Sequence, residues 1–244
     1  MGVRLGGDST EIRVNGSRFI APNNDESWGI ADQVWRSRVY MKHFPILPNY
    51  RVLDVGAHFG FFSVFAARQS HGVKVVSYEP SKSTFEILRR NLANNLHPEN
   101  CFAFNFGLSD TRQESLFYKP EGHDASGTLF KEQIGESGAA IIKERVQIEK
   151  ADRIWDVFDS YDFVKLDCEG SEYPILQCLG DQVKRFHYLV LEYHHDPENI
   201  ARFLLSKRFS ILEMSSGENH SPWNAFSHMG MLYAQNDDFH STPS

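Results

Sequence analysis

One stretch decides the fold: Arg51-Val52-Leu53-Asp54-Val55-Gly56-Ala57-His58-Phe59-Gly60. Its first half is a short, mostly apolar run, which predicts a buried strand, and its second half contains two glycines, which predict a tight turn. An amphipathic run over residues 61–69 follows directly and predicts a helix. The first N–H groups of such a helix have no partner inside the helix, so they can bind a ligand.

A second predicted strand ends in an acid. Residues 74–78 form another apolar run, and Glu79 follows it. When an acid ends the second strand of a strand–helix–strand unit, its carboxylate can accept hydrogen bonds from both hydroxyls of a ribose. The two motifs therefore predict a doubly wound α/β fold with a nucleotide-like cofactor at the carboxyl edge of its sheet.

The glycine spacing distinguishes between two such cofactors. A dinucleotide fingerprint reads G-x-G-x-x-G, so that the backbone can approach a pyrophosphate, whereas this turn reads Asp54-x-Gly56-x-x-x-Gly60. The carboxylate of Asp54 would repel a pyrophosphate but suits a ligand with positive charge. S-adenosylmethionine (SAM) has a ribose, an amino group and a sulfonium, and it has no phosphate. The sequence therefore predicts SAM and disfavours the alternative, an NAD-linked oxidoreductase.

Length, charge and cysteine content narrow the class of protein. A chain of 244 residues can bury a core without disulfides, and a formal net charge of −7 disfavours a protein that binds nucleic acid through its phosphates. The three cysteines, an odd number, predict reduced thiols in a cytoplasmic protein. We expect no membrane span, because no apolar run is long enough to cross a bilayer. A homo-oligomer remains open.

The first 48 residues are predicted to form an N-terminal annex to the main domain, which covers residues 49–244. Residues 12–20 predict a hairpin that turns at Asn15-Gly16, and residues 26–40 predict a helix. We expect this annex to cap the cofactor side of the main domain.

Residues 111–150 interrupt the α/β pattern of the main domain. They are rich in glycine and polar residues, apart from two short candidate strands at 116–118 and 146–148. Long irregular segments inside a compact domain are usually functional or disordered. We expect this one to form a flap over the substrate.

The rest of the main domain alternates strands and helices. Residues 101–108 predict a third strand ending in the turn Gly107-Leu108-Ser109-Asp110, where the adenine of a cofactor should lie. The other predicted elements are a helix over 81–95, a strand over 162–167, a helix over 171–179, a strand over 188–192, a helix that starts at Asp196-Pro197, and closing strands over 210–214 and 228–234. The two closing strands should pair as a hairpin.

Charged residues gather after the fourth and fifth predicted strands of the sheet. Lys165, Asp167 and Glu169 occupy alternate positions, and the first two share a face because side chains alternate along a strand. Glu192 and His194 end the next strand, beside the same crevice. We expect Asp167, Glu169 or His194 to take a proton during the reaction and Lys165 to orient the carboxylates.

A divalent metal is chemically plausible at this crevice, because carboxylates and imidazole bind such ions. The candidate site would consist of Asp167, Glu192 and one of His194 or His195. No tight ligand spacing supports it, so the sequence does not favour a metal.

Together these motifs resemble the FkbM family of SAM-dependent methyltransferases. The resemblance lies in residues 52–60, in Tyr78-Glu79-Pro80 and above all in Lys165-x-Asp167-x-Glu169-Gly170-x-Glu172, and it extends over residues 50–195. It implies a Rossmann-like class I methyltransferase fold with three α/β/α layers and a seven-stranded sheet whose last strand is reversed. It also implies that a methyl group passes from SAM, leaving S-adenosylhomocysteine, to a hydroxyl of a small molecule, sugar or natural product.

The resemblance also assigns residues to roles. The cofactor contacts it implies are Asp54, Gly56, Ala57, His58, Phe59, Gly60, Glu79, Pro80, Gly107, Leu108, Ser109, Asp110 and Asp167. Their position at the predicted crevice makes five residues the catalytic candidates: Lys165, Asp167, Glu169, Glu192 and His194. His58 stands where family members more often carry asparagine. The open alternatives are a non-catalytic SAM-binding module and a methyltransferase that acts on a macromolecule.

Overall fold

A computed structural model describes residues 3–4, 9–120, 127–129, 140–217 and 229–239. Its strands are β1 (Val3–Arg4), β2 (Ser9–Val14), β3 (Ser17–Pro22), β4 (Arg51–Val55), β5 (Lys74–Tyr78), β6 (Cys101–Phe104), β7 (Gly107–Ser109), β8 (Gln113–Pro120), β9 (Ile141–Lys150), β10 (Tyr161–Leu166), β11 (Phe186–Tyr193), β12 (Phe209–Gly217) and β13 (Met229–Asn236). Its α-helices are α1 (Asp25–Asp32), α2 (Phe61–Ala67), α3 (Lys82–Asn95), α4 (Glu172–Leu179) and α5 (Pro197–Ser206). Within the described part of the chain, no helix combines the length and the apolar character that crossing a lipid bilayer requires.

The central sheet has seven strands in the order β12-β13-β11-β10-β4-β5-β6. β4, β5, β6, β10 and β11 are parallel, whereas β13 runs antiparallel to both of its neighbours. This topology confirms the predicted doubly wound α/β fold, its reversed last strand and the pairing of the two closing strands. The predicted start of the last strand, residue 228, lies outside the described residues.

Side chains alternate between the two faces of the central sheet. Val52 and Phe163 belong to one buried cluster, whereas Leu53 and Val164 belong to another. The first cluster includes residues of α2 and α3, and the second includes residues of α4 and α5. Helices thus cover both faces, which gives the predicted three layers, and the apolar burial on both sides stabilises the sheet.

The predicted third strand, residues 101–108, is wrong in its second half. β6 covers only the first half, and β7 pairs instead with β9 in a separate sheet of order β7-β9-β8, called the accessory sheet below. The side chain of Asn105 explains the break, because its nitrogen donates to the carbonyl oxygens of Glu79 and Pro80, each at 3.0 Å. These hydrogen bonds stop the chain from continuing along β5.

The segment 111–150 is more regular than the sequence indicates. β8 and β9 pair antiparallel and contain both of the short strands predicted there. Local composition concealed their length, since many of their residues are polar or charged and alternate in burial. Residues 121–126 and 130–139 lie outside the described residues, and the role of the segment as a substrate flap stays a prediction.

The annex begins with the predicted hairpin. β2 and β3 are joined at Asn15-Gly16, where both residues have the positive φ of a type I′ turn. α1 is shorter than the predicted helix over 26–40, because a wide π-helical turn at Gln33–Ser37 and the left-handed Arg38 end it. A 3-10 turn, Val39–Met41, follows and brings the chain towards the central sheet.

The annex packs on α2 through aromatic side chains. The rings of Phe19 and Phe61 lie 4.7 Å apart, and those of Trp35 and Phe65 lie 5.2 Å apart. All four residues are buried in the same apolar cluster. The division of the chain at residue 48 into two domains stays a prediction.

Candidate active site

A cavity opens at the carboxyl edge of the central sheet, where β4, β5, β10 and β11 end. Its volume is about 310 Å³, within the range of small-ligand sites. The annex and the accessory sheet contribute to its wall together with the strand ends. The predicted site residues that line it are Gly56, Ala57, His58, Glu79, Pro80, Gly107, Leu108, Lys165, Asp167, Glu169 and Glu192.

The turn after β4 requires a glycine at position 56. Gly56 has a φ of +76°, and a Cβ there would lie 1.7 Å from the backbone oxygen of Asp167. No side chain fits such a distance, and the positive φ disfavours other residues independently. This close approach brings the first motif of the sequence against the segment that follows β10.

Glu79 is fixed on the cavity wall by two backbone groups. One carboxylate oxygen accepts from the His58 N–H at 3.0 Å, and the other accepts from the Ser81 N–H at 2.9 Å. Burial raises the pKa of Glu79 to about 7, although both hydrogen bonds act to lower it. The carboxylate keeps one orientation, and its remaining lone pairs can accept from a ligand in the cavity.

Lys165 is a buried cation beside the turn. Its ammonium donates to the carbonyl of Gly56 at 2.8 Å and to Asp54 at 3.2 Å, and it lies 3.4 Å from Asp167. Burial lowers the pKa of Lys165, but the two carboxylates outweigh burial and raise that pKa above its usual value. The ammonium therefore stays charged and cannot serve as a base.

Asp54 lies behind Lys165 and does not reach the cavity wall. It is fully buried, and its second oxygen accepts from the hydroxyl of Ser63 at 2.5 Å. That hydroxyl lies 2.9 Å from the hydroxyl of Ser77 on β5. Asp54 thus holds the lysine in place rather than meeting a ligand in the cavity.

Asp167 has one engaged oxygen and one available oxygen. Oδ2 accepts from the hydroxyl of Tyr40 at 2.9 Å and lies 3.4 Å from the ammonium of Lys165. Oδ1 accepts no hydrogen bond from any residue that the structure describes. Burial raises the pKa of Asp167, but Lys165, His194 and Tyr40 together lower it below the usual value. An ionised carboxylate therefore faces the cavity with one oxygen available to a ligand.

His194 lies behind the cavity wall. It is fully buried, with Nδ1 3.0 Å from a carboxylate oxygen of Glu172 and Nε2 3.6 Å from one of Glu169. Burial lowers the pKa of His194, but the carboxylates outweigh burial and raise that pKa well above its usual value. A charged imidazolium cannot accept a proton, so this position does not support the predicted role of His194 as a base.

Glu172 belongs to the quoted motif but was not predicted as a site residue. Besides contacting His194, its carboxylate accepts from the backbone N–H groups of Cys168 at 2.9 Å and Gly170 at 3.1 Å. These bonds fix the turn between β10 and α4, in which Glu169 takes a left-handed φ of +53°. The spacing of acids in the motif was the signal that could have indicated this role.

Glu192 is the carboxylate of the wall with the fewest constraints. It is half-buried on β11 and makes no hydrogen bond or ion pair with another residue in the described ranges. Burial, followed by the nearby charge of Asp167, raises the pKa of Glu192 to about 7. Such a group can take up a proton near neutral pH.

Asp167, Glu169 and His194 each offer one ligand atom, and these atoms lie within 4.8 Å of one another. The candidate metal site considered from the sequence contained Glu192 where this cluster contains Glu169. The geometry is sufficient to hold a divalent cation, but Lys165 and the charged His194 already compensate these acids. We assign no metal to the cluster.

Six predicted site residues do not line the cavity. Phe59 is buried in the apolar core, and Gly60 starts α2 against the side chain of Leu88. Ser109 and Asp110 contact each other at the surface beyond the wall. The residues outside the wall are Asp54, Phe59, Gly60, Ser109, Asp110 and His194.

Several wall residues were not predicted from the sequence. The annex supplies Glu26, Ile30, Gln33, Val34 and Tyr40, and the accessory sheet with its neighbouring residues supplies Phe117, Gly127, Leu129 and Ile148. No local pattern distinguishes them, because their position depends on how the annex and the accessory sheet fold back on the central sheet.

Comparison with known proteins identifies the family. The family model described as the methyltransferase FkbM domain matches residues 54–230, which is most of the chain. The chain belongs to the FkbM methyltransferase family. This confirms the resemblance that the three sequence motifs indicate.

Individual relatives of this FkbM-family chain are distant. The chain is 28% identical over 217 residues to the AMB antimetabolite synthetase AmbE of Pseudomonas aeruginosa, covering 74% of this chain but only 10% of that protein. It is 23% identical over 203 residues to the hexuronic acid methyltransferase AglP of Haloferax volcanii, covering 82% and 80%. A structure from Streptococcus mutans, described as a candidate SAM-dependent methyltransferase, has a TM-score of 0.52 at 9% identity, covering 95% and 56%, and shows the same fold.

Proposed function

We propose that this protein is a SAM-dependent O-methyltransferase whose acceptor is a hydroxyl of a small molecule, such as a sugar or another natural product. One observation carries the proposal. Glu79 and the turn at Gly56 line the same cavity as Lys165, Asp167 and Glu192. A ribose-binding acid and a set of reactive side chains thus share one space, in a chain of the FkbM family.

The chemistry of the wall residues and the order of the strands that carry them both suit SAM. Glu79 presents a fixed carboxylate to the ribose hydroxyls, and Asp167 presents an available oxygen to the amino group. Leu108, which also lines the cavity, would offer an apolar surface to the adenine. The strand order β5-β4-β10-β11 then leaves the end of the cavity near Glu192 for the acceptor.

Glu192 is the best-supported base for the acceptor hydroxyl. When bound, SAM supplies a methyl group on a positively charged sulfur, which leaves as a neutral thioether. Glu192 would take the proton of an acceptor hydroxyl held beside it in the cavity. A base with a pKa near the working pH suits this proton transfer, and Glu192 lies on the cavity wall.

The name of AglP supports a sugar-derived acceptor, because that relative is a hexuronic acid methyltransferase. A small-molecule acceptor also agrees with the cavity volume of about 310 Å³ and the negative net charge of the chain. The cytoplasmic location and the absence of a nucleic-acid partner remain predictions from cysteine content and charge.

The test combines binding with a search for the product. Calorimetry should show binding of SAM and S-adenosylhomocysteine but not of NADH. Mass spectrometry of native-cell extract incubated with protein and SAM should show one compound that gains a methylene. Glu79→Gln should lose affinity for S-adenosylhomocysteine, whereas Glu192→Gln should keep that affinity and reduce turnover about 100-fold or more.

Each outcome tests a different assignment of the function or of the site residues. Binding without any methylated product from extract would indicate a non-catalytic SAM-binding module. A methylated protein or nucleic acid would indicate a macromolecular acceptor. Unchanged turnover in Glu192→Gln would contradict the assigned base, and binding of NADH in place of SAM would contradict the cofactor.

A further inference from the structure

Tyr40 links the annex to the centre of the candidate active site. Its hydroxyl donates to Oδ2 of Asp167 at 2.9 Å, although 127 residues separate the two in the sequence. Its ring lies over the ammonium of Lys165, with 5.3 Å between the nitrogen and the ring centroid. Tyr40 is buried and lines the cavity. Tyr40 therefore contacts both Lys165 and Asp167.

The position of Tyr40 is set by other parts of the fold. The hydroxyl of Tyr233 on β13 donates to the carbonyl of Val39 at 2.6 Å, which holds the 3-10 turn of the annex against the central sheet. The ring of Tyr40 packs edge to face on Phe62 of α2, with centroids 5.2 Å apart. These two contacts hold the backbone before Tyr40 and the ring of Tyr40, and so fix the position of its hydroxyl beside Asp167.

The Tyr40 hydroxyl acts as a donor to a charged acceptor. Burial and the surrounding carboxylates raise the pKa of Tyr40 well above its usual value, so that the phenol keeps its proton. Together with Lys165 it occupies Oδ2 of Asp167, and Oδ1 receives nothing from the described residues. A carboxylate held on one oxygen points its second oxygen in a defined direction.

We propose that Tyr40 is a positioning residue, which holds one oxygen of Asp167 so that the other receives the amino group of SAM. This rests on the proposed function, since it assumes that SAM occupies the cavity. The annex then takes part in recognition of the cofactor through a side chain that no motif of the sequence marks.

The alternative is that the Tyr40–Asp167 hydrogen bond only stabilises the fold. The two cases differ in which part of the ligand is affected. S-adenosylhomocysteine has the amino group, whereas 5′-methylthioadenosine shares its adenine and ribose but has no amino-acid part. A positioning role predicts loss of affinity for the first ligand alone, because only that ligand contacts Asp167.

The experiment compares both ligands by calorimetry with wild-type protein, Tyr40→Phe and Tyr161→Phe. Tyr40→Phe removes one hydroxyl and should weaken binding of S-adenosylhomocysteine about tenfold, the usual effect of losing one hydrogen bond to a charged group. Its affinity for 5′-methylthioadenosine should stay within about twofold of wild type. Tyr161→Phe, the matched control, removes a buried hydroxyl that donates to the carbonyl of Ile154 and does not line the cavity, and it should leave both affinities within about twofold of wild type.

Equal affinity of wild-type protein and Tyr40→Phe for S-adenosylhomocysteine would overturn the proposal, and so would a parallel loss for both ligands. If Tyr40→Phe does not fold, Asp167→Asn provides the same comparison, and a parallel loss for both ligands would again overturn it. Failure of the wild-type protein to bind S-adenosylhomocysteine would instead contradict the proposed function, and this proposal with it.

Discussion

Lys165 and Glu192 lie on the same cavity wall but differ in how their charges are compensated. The ammonium of Lys165 has two carboxylates and a carbonyl within 3.4 Å. The carboxylate of Glu192 has no partner of this kind in the described part of the chain. A partly buried carboxylate without a partner lowers the stability of the ligand-free protein. Proteins commonly retain such destabilising groups where function requires them.

Because the pKa of Glu192 is raised, we expect a neutral side chain at this position to increase the free energy of unfolding by an amount that depends on pH. The folded protein raises this pKa from 4.5 to about 7, so the group favours folding below pH 4.5 and loses that contribution as the pH rises through 7. Glu192→Gln should therefore increase the free energy of unfolding by about 1–2 kcal/mol at pH 8 and change it little at pH 5. Urea unfolding of cofactor-free protein at both values measures this.

Glu213→Gln serves as the control with the opposite sign. Hydrogen bonds from Lys42 and His43 lower the pKa of Glu213, so its carboxylate stabilises the folded state above its unfolded pKa. That variant should lose stability at pH 8. A Glu192→Gln protein that is less stable than wild type at pH 8 would show that Glu192 has a partner.

Gly56 and Gly16 share a φ of +76° but differ in surroundings, which gives a second prediction. At Gly56 a Cβ would meet backbone at 1.7 Å, whereas at Gly16 its nearest neighbour is the end of the Arg68 side chain at 3.6 Å. Gly16→Ala should cost about 1 kcal/mol for the left-handed backbone, and Gly56→Ala about 3 kcal/mol or more. Urea unfolding of both variants checks this, and equal costs would contradict the close contact.

Individual site residues were predictable where a strand end fixes them. Glu79, Lys165 and Asp167 reach the cavity because parallel strands present their carboxyl ends at one edge. Sequence could not indicate Tyr40, whose partner is far along the chain, nor the orientation of His194. That orientation is set by Glu172, whose carboxylate lies 3.0 Å from Nδ1 of the imidazole.

Among the elements, the accessory sheet contacts the start of α3 through a carboxylate of β9. Glu144 on β9 accepts from the Ser81 hydroxyl and from the Lys82 N–H at the start of α3, each at 2.7 Å. The negative charge also favours this end of the helix. Because the Ser81 N–H holds Glu79, the accessory sheet supports the predicted ribose site indirectly.

Glu144→Ala should therefore loosen the accessory sheet. We expect a loss of about 1 kcal/mol in unfolding free energy, typical of a helix cap, and faster hydrogen exchange of the β8 and β9 amides. Glu114→Ala on the same sheet removes only exposed contacts, with Arg145 and Gln147, and should cost less than about 0.5 kcal/mol. Similar exchange rates in the two variants would show that Glu144 does not restrain the sheet.

The order and type of the central elements were predictable from periodicity, but two boundaries were not. β6 stops because the Asn105 side chain binds two carbonyls of the neighbouring segment, which is a tertiary effect. α1 gives way to a π-helical turn that ends at the left-handed Arg38, which nothing in the helical periodicity of that region indicates. Both misses arise where side chains or packing override the local pattern.

In the molecule as a whole, the annex shares a core with the central sheet. Ile12, Phe19 and Trp35 of the annex belong to the same buried cluster as Val52 and Phe163 of the sheet. A segment that contributes to the main core cannot leave without exposing it. The predicted division into annex and main domain therefore does not imply two units that unfold separately.

We expect the amides of β2 and β3 to exchange with deuterium only when the whole protein unfolds. Their opening free energy should match the global value obtained from urea unfolding followed by circular dichroism. The edge strand β12 provides a reference for local fraying and should exchange more readily. If the β2 and β3 amides opened at several kcal/mol less than the global value, the annex would be an independent unit.

The double hydrogen bond of Glu79 restricts what can be changed in this protein. An engineer who wished to redirect it to another donor would start at the acid predicted to bind the ribose. Any replacement without two acceptor oxygens would leave the N–H of His58 or Ser81 buried and unsatisfied, which costs about 1–3 kcal/mol for each group. Altered donor specificity would therefore have to come from apolar wall residues of the annex and of the segment beside the accessory sheet, such as Ile30 and Leu129.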